Sequence, residues 1–451
     1  MQNFKKAILN ILKGKSTKKH SFYFIGIGGI SMYSLCLKLI ELGQYVGGSD
    51  AKRTKNTRIL EKCGVKIHYE HNEENVSGFD FVIYSFAVRD NVEVKKAKEL
   101  NIPVLSRAEF LGLLLCCYKK RICVAGAHGK TTTTALIYHI LNKANLNPSL
   151  HLGGYIENEN ISYKYTKSRI IVCEACEYYD AFLKLKPNIA VVLNTAPEHL
   201  DYFQTYTNVK KSFNRFAKAS EVLICANEHN YIKSSKKNIY FGNNGDYYAK
   251  NIKMCCDGTY KFDCYCYKKY YGRFHINLMG LHNVSNALAA ISVANELFIG
   301  KQIVKDALND FSGVKRRFEI ISKAPFIIHD YAHHPDEIKS VLSEFKKFYN
   351  GKLLVVFQPH TYSRTKTLMN EFVNVLKDYE CLIYKTFGAR EKYDKSGSSK
   401  TLCSNLGKTA KYFNKNQELN IYLQTKIKDD YAVIFLGAGN IYDVAKNVTH
   451  G

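Results

Sequence analysis

The residues best equipped for chemistry lie in mid-chain, in the run Val124-Ala125-Gly126-Ala127-His128-Gly129-Lys130-Thr131-Thr132-Thr133-Thr134. Two glycines let backbone N–H groups turn inward on phosphate oxygens, Lys130 supplies a cation, and Thr131 offers a hydroxyl to Mg²⁺. The loop is shorter than the common G-x-x-x-x-G-K-[ST], with only Ala127 and His128 between its glycines. An apolar strand, Arg121 to Ala125, precedes it. The Thr-Ala-Leu-Ile-Tyr-His-Ile-Leu run that follows reads as a helix whose N-terminal dipole completes an anion site.

Further groups of suitable type sit where strands should end. Glu174 closes the apolar run from Ile170 and is a chemically sensible Mg²⁺ ligand, with Glu177 and Asp180 as competing acids. His199, between Glu198 and Asp201, follows the strand Ile189 to Asn194 in the same manner. Near the start, Gly26, Gly28 and Ser31 with Asp50 form a G-x-G-x-x-S loop and an acid at the next strand end. That turn suits a nicotinamide dinucleotide or the diphosphate of any other nucleotide. Arg316 and Arg317 offer planar cations for charge on a transferred phosphoryl group. Asp330-Tyr331-Ala332-His333-His334-Pro335 and the run from Gln358 to Thr365 place polar side chains on loops after strands, as a binding surface requires.

The elements that must position these groups alternate strand and helix in three successive segments: 1–117, 118–314 and 315–451. Each opens with an apolar strand and a distinctive loop, which predicts three α/β domains, the first and third Rossmann-like and the central one of phosphate-loop type. A Tyr- and Cys-rich stretch between residues 240 and 276 predicts a small antiparallel excursion.

At 451 residues the chain exceeds one ordinary core, and its 46% hydrophobic and 23% charged content excludes long disordered tracts. No apolar stretch is long enough to span a membrane, and the beginning has no signal-peptide pattern, so a cytoplasmic protein without membrane insertion is expected. The 14 cysteines lack zinc-ligand spacing and read as reduced thiols. The net charge of +25 raises a nucleic-acid-binding ATPase as a possibility, but the lysines are spread along the chain, and no nucleic-acid partner is expected.

In order, Gly-Ile-Gly-Gly-Ile, Gly-Ser-Asp, Ala-His-Gly-Lys-Thr-Thr-Thr-Thr, Glu-His-Leu-Asp-Tyr-Phe, His-Asn-Val-x-Asn-Ala-Leu-Ala-Ala, Gly-Val-Lys-Arg-Arg-Phe-Glu, Asp-Tyr-Ala-His-His-Pro and Gln-Pro-His-x-Tyr-Ser-Arg-Thr resemble the motifs of the Mur ligases of bacterial cell-wall synthesis. The resemblance covers nearly the whole chain. It implies ATP and Mg²⁺ as cofactors and UDP-N-acetylmuramate and L-alanine as substrates, joined through an acyl phosphate; a relative that attaches a preformed murein tripeptide is the alternative. A monomer or homodimer is implied.

By motif position, Gly126, His128, Gly129, Lys130, Thr131, Thr132, Asn283, Asn286, Arg317 and Asp330 would hold ATP, and Thr131, Glu174 and His199 the metal. Lys130, His199 and Arg317 would act in catalysis. Gly28, Gly29, Asp50, His71 and Ser85 fall where the family binds the UDP-sugar, and Tyr331, His333, His360 and Arg364 near the amino-acid pocket. The chain departs from the family at Ala127 (usually Thr), Ser31 (usually Gly), Phe86 (often Ser) and Thr361 (often Arg), the last leaving Arg364 as the carboxylate partner.

Overall fold

The computed structural model describes residues 2–234, 236–389, 391–428 and 431–448. Three α/β sheets are distributed over two compact units. The first unit holds residues 1–252, 262–276 and 283–312, and the second 253–261, 277–282 and 313–451.

The first sheet consists of β1 (Ser21–Ile25), β2 (Tyr45–Ser49), β3 (Lys66–His68), β4 (Phe81–Tyr84) and β5 (Val104–Ser106) in the order β3-β2-β1-β4-β5, all parallel. Helices cover both faces, which is why β1 is buried at four of its five positions and shows no polar alternation. The order reverses between β1 and β4, so the loops at Gly26 and Ser85 flank the crevice where such sheets bind ligands. Local chemistry reinforces the alternation. Ser106 caps the helix Arg107–Leu115 through a reciprocal box with Glu109, and Gly48 must lack a side chain because a Cβ there would lie 2.3 Å from the Phe24 carbonyl oxygen.

The second sheet contains β6 (Lys120–Ala125), β7 (Ser149–His151), β8 (Tyr163–Lys164), β9 (Ile170–Glu174), β10 (Ile189–Val192), β11 (Val222–Ala226), β12 (Lys237–Phe241), β13 (Tyr247–Met254), β14 (Tyr260–Cys266) and β15 (Lys269–Ile276). Its order is β15-β14-β13-β12-β11-β10-β6-β9-β7-β8. Strand β6 therefore lies between β9 and β10, and the three deliver the phosphate-type loop, Glu174 and the His199 segment to one edge. The expected excursion at 240–276 is the run of β13 to β15 along one side of this sheet.

In the second unit, β16 (Glu319–Lys323), β17 (Phe326–Asp330), β18 (Leu353–Phe357), β19 (Glu380–Tyr384), β20 (Ala410–Phe413) and β21 (Ala432–Leu436) form a sheet in the order β16-β17-β21-β18-β19-β20. Only β16 is antiparallel to its neighbour. Buried clusters around Val355 and Ile434 on one face and Val356 and Val433 on the other sandwich it between helices.

Within the first unit one continuous apolar core runs from Phe22, Phe24 and Phe110 to Cys123, Val192 and Phe213, spanning both sheets. A polar relay crosses between them as well. Arg107 donates to Ser31 Oγ at 3.1 Å, Ser31 Oγ lies 2.7 Å from His151 Nε2, and His151 Nδ1 lies 2.8 Å from the Tyr165 hydroxyl. Burial, with Arg107 nearby, pushes His151 down to about 3, so the imidazole is neutral and Arg107 is the cation of the relay. Ser31 thus supplies a hydroxyl that links the two sheets.

Candidate functional site

The phosphate-type loop leaves β6 at Gly126 and enters the helix Lys130–Lys143 through Gly129, whose φ of 81° is left-handed. Only glycine fits there, since a Cβ would also lie 2.7 Å from Asn286 Oδ1. Asn194, just beyond β10, braces the loop from outside: its Oδ1 accepts from the His128 N–H at 2.8 Å and its Nδ2 donates to the His128 carbonyl at 3.1 Å. Asn286 donates to Asn283 Oδ1 at 2.9 Å, so the two predicted nucleotide-facing asparagines are joined on one buried helix face.

Lys130 Nζ donates to the carbonyls of Gly126 and Ala127 and to Glu177 Oε1, the last at 3.0 Å. Burial works against its charge, yet the neighbouring Glu177, Cys176 and Glu174 outweigh it and hold the ammonium above its usual value. Glu177 is 3% exposed; burial favours its neutral form, but Lys130 and His199 win and keep the carboxylate below the usual range. Its Oε2 is buried and accepts no hydrogen bond among the described residues.

The predicted metal ligands fall into two neighbouring groups. Thr131 Oγ1 donates to Glu174 Oε1 at 3.2 Å, and Glu174 Oε2 accepts from the Gly153 N–H at 2.8 Å. His199 faces Glu177 instead, with Nε2 3.6 Å from Oε1, and Glu177, Glu198 and His199 bring ligand atoms within 4.8 Å of one another. His199 itself is left-handed (φ 56°) and stacks on the Tyr178 ring at 4.3 Å, while the Tyr178 hydroxyl donates to Asp201 at 2.7 Å. This donor set of three carboxylates, an imidazole and a threonine hydroxyl suits a hard divalent cation beside phosphates, and the Glu177 oxygen that is unpartnered among the described residues points to unused ligand capacity.

At the carboxyl edge of the first sheet, Asp50 Oδ2 accepts from the Gly28 N–H at 2.9 Å, tying the glycine loop to the end of β2. Gly29 is the residue from which the helix Ile30–Glu41 starts. Ser85 heads the short turn Phe86–Val88 after β4, and His71 Nδ1 lies 2.8 Å from Glu93 Oε2. Phe86 stacks on Tyr179, in the turn after β9, at 4.5 Å and 16°, and the Arg89 guanidinium covers that same tyrosine ring at 4.7 Å. The loops around the two predicted ligand sites of this unit therefore touch through aromatic faces.

In the second unit the Arg317 guanidinium lies over the Tyr331 ring at 4.9 Å. Asp330 is buried, and its oxygens accept from the N–H groups of Phe318 and Ala332 at 2.7 Å each. Burial pushes it up to about 6 despite Arg317. Tyr331, His333 and His360 contact in sequence, edge to face. His360 Nδ1 lies 3.4 Å from the Arg364 guanidinium, and burial with His333 and Arg364 nearby lowers it to about 4. The four residues assigned to an amino-acid pocket thus form one contiguous group.

Sequence reasoning weighed Glu177 only as a rival to Glu174 and left Glu93, Asn194 and Tyr178 unremarked. Glu177 had a usable signal, three residues beyond Glu174; Glu93 had none, being one more acid at a helix start.

Three family models match consecutive segments: "Mur ligase family, catalytic domain" over residues 21–119, "Mur ligase middle domain" over 124–294, and "Mur ligase, glutamate ligase domain" over 316–439. The UDP-N-acetylmuramate--L-alanine ligase of Caldanaerobacter subterraneus is 40% identical over 441 residues, covering 94% of this chain and 96% of that protein. The enzyme of the same name from Clostridium novyi is 38% identical, covering 97% and 98%. Among solved structures, UDP-N-acetylmuramate-alanine ligase from Thermotoga maritima superposes with a TM-score of 0.80 at 28% identity, over 96% of this chain and 98% of that one. A murein peptide ligase from Psychrobacter arcticus gives 0.71 at 22% identity, a likeness of fold.

Proposed function

The chain belongs to the Mur ligase family, and from that premise we infer that it is an ATP-dependent amide-forming ligase that joins L-alanine to the lactyl carboxylate of UDP-N-acetylmuramate. In this reading residues 1–117 take the sugar nucleotide, 118–314 take ATP, and 315–451 serve the amino acid; the work is done in the cytoplasm. The observation that carries it is Lys130, held as an ammonium at a helix N-terminus beside Glu177, Thr131 and Glu174.

A carboxylate is a poor acylating agent because its leaving group would be oxide. Attack of the lactyl carboxylate oxygen on the ATP γ-phosphorus forms the new P–O bond and releases ADP, leaving an acyl phosphate. The free amine of alanine then adds to the acyl carbon. Collapse of the tetrahedral species breaks the C–O bond, expels phosphate, and leaves the amide after loss of a proton. Lys130 and the backbone N–H groups that open its helix supply the fixed positive charge this sequence needs where phosphate charge builds up. Thr131, Glu174 and His199 would hold Mg²⁺, which when bound neutralises phosphate oxygens. Asn283 and Asn286 face the nucleotide, with Arg317 and Asp330 contributing from the third segment. Gly28, Gly29, Asp50, His71 and Ser85 bind the UDP-sugar. Tyr331, His333, His360 and Arg364 receive alanine, the Arg364 guanidinium pairing its carboxylate.

ADP release by the purified chain with UDP-N-acetylmuramate tests the reading. Dependence on L-alanine and formation of UDP-N-acetylmuramoyl-L-alanine are expected; turnover with a murein tripeptide but not with alanine, serine or glycine would overturn it in favour of the recycling ligase.

A further inference from the structure

Glu93 is wholly buried, yet it lies in the first turn of the helix Val92–Glu99, and among the described residues no lysine or arginine pairs with it. Its carboxylate is instead met by four donors from three stretches of chain. Oε1 accepts from the Tyr23 hydroxyl at 2.9 Å and from Asn75 Nδ2 at 2.8 Å. Oε2 accepts from Ser49 Oγ at 2.6 Å and faces His71 Nδ1 at 2.8 Å. The backbone is fixed too, because the Glu93 N–H donates to Asn91 Oδ1 at 2.8 Å. Burying a carboxylate is costly unless hydrogen bonds replace its water, and here they do so on every side.

Of the four donors, Tyr23 and Ser49 are buried and Asn75 also reaches the Glu70 carbonyl. His71 differs, since its ring keeps 25% of its surface exposed and only Nδ1 is committed to Glu93. The same segment borders a cleft of about 420 Å³ lined by Ile67, His68, Tyr69, Glu70, Asn72 and Asn75, at the carboxyl end of β3. An imidazole whose Nδ1–H is held by a fixed carboxylate presents Nε2 outward in a single orientation and tautomer.

We propose that Glu93 is the positioning residue of the sugar-nucleotide site: it holds His71 in the Nδ1–H form so that Nε2 meets the nucleoside diphosphate of the substrate. This rests on the assignment of His71 to that substrate. Glu93 touches no substrate atom and changes no covalent bond. Its effect is on affinity, through the aim of one ring.

The test uses the full chain and UDP-N-acetylmuramate as probe. Glu93→Gln keeps the volume but turns one oxygen into an amide donor that opposes the incoming N–H and O–H groups. It is expected to raise KM for UDP-N-acetylmuramate about tenfold while kcat and KM for ATP stay within about twofold, and His71→Ala combined with Glu93→Gln should bind no more weakly than His71→Ala alone, as coupled neighbours do. Unchanged KM in Glu93→Gln, or fully additive losses, would overturn the positioning role while leaving His71 in the site. Unchanged affinity in His71→Ala would overturn the site assignment and the proposal with it. Should Glu93→Gln fail to fold, ¹⁵N spectra of the His71 ring in the unmodified chain decide: the Nδ1–H tautomer supports the proposal, and the Nε2–H tautomer overturns it.

Discussion

Lys130 and Glu177 form a largely buried ion pair with Nζ 3.0 Å from Oε1, although they follow different strands, β6 and β9. Removing one partner of such a pair leaves a bare charge in a poorly solvated place. Lys130→Ala is therefore expected to lower kcat by at least about 100-fold, the scale of losing one fixed positive group at a phosphoryl-transfer centre. Affinity for UDP-N-acetylmuramate, measured by calorimetry without ATP, should stay within about twofold, because that substrate is assigned to the first sheet. A parallel loss of sugar-nucleotide binding would contradict the division of labour between the two sheets.

Gly129→Ala tests the shape of the loop independently of its charge. The substitution forces a side chain into left-handed backbone and to within 2.7 Å of Asn286 Oδ1, a strain of about 1–3 kcal/mol. Urea unfolding should show a loss of that size, and ATP binding should weaken more than sugar-nucleotide binding. Equal weakening of both would refute the loop's assignment to ATP.

Asp330 sets a pH signature. Its folded value of about 6 lies above the ordinary 3.8, so the folded chain keeps a proton that the unfolded chain has lost. Stability from this group is fully present below about 3.8 and declines as pH rises to about 6, a change of about 3 kcal/mol. Above that the penalty is constant. Asp330→Asn should remove this downward slope between pH 4 and 6 in denaturation curves, whatever its effect on absolute stability; an unchanged slope would place the cause elsewhere.

Ser31→Ala probes the relay between the sheets. It leaves the Arg107 guanidinium and His151 Nε2 each short of a partner, at an expected cost of about 1–3 kcal/mol in urea unfolding. A neutral result would mean that water takes over the relay without loss.

Much of this architecture was legible in the chain, and for identifiable reasons. The strands at Ile170, Ile189, Phe326, Leu353 and Ala432 are continuous apolar runs, as parallel strands covered on both faces must be, and all appear where expected. Short or less uniform strands were not: Lys66–His68 is three residues long and mixed, and Ser149–His151 ends in a buried histidine that reads as polar. The site divided along the same line. Thr131 with Glu174, and Tyr331 through Arg364, follow shortly after the carboxyl ends of strands that share a sheet, which local sequence locates. The turn of His199 toward Glu177, and the service of Glu93 to His71, depend on left-handed backbone and on contacts 22 residues apart, which no local pattern encodes. Asp50 falls in between: its strand-end place was readable, its bond to the Gly28 N–H was not.

The apolar core shared by the first two sheets has a thermodynamic corollary. Phe110 and Phe213 belong to one packed body, so melting either sheet strips the shared face of the other. Native-state hydrogen exchange should find β1 and β6 opening with the same free energy, as a single cooperative block. Severing the chain near residue 117 would then yield two fragments with raw apolar faces in place of two working modules.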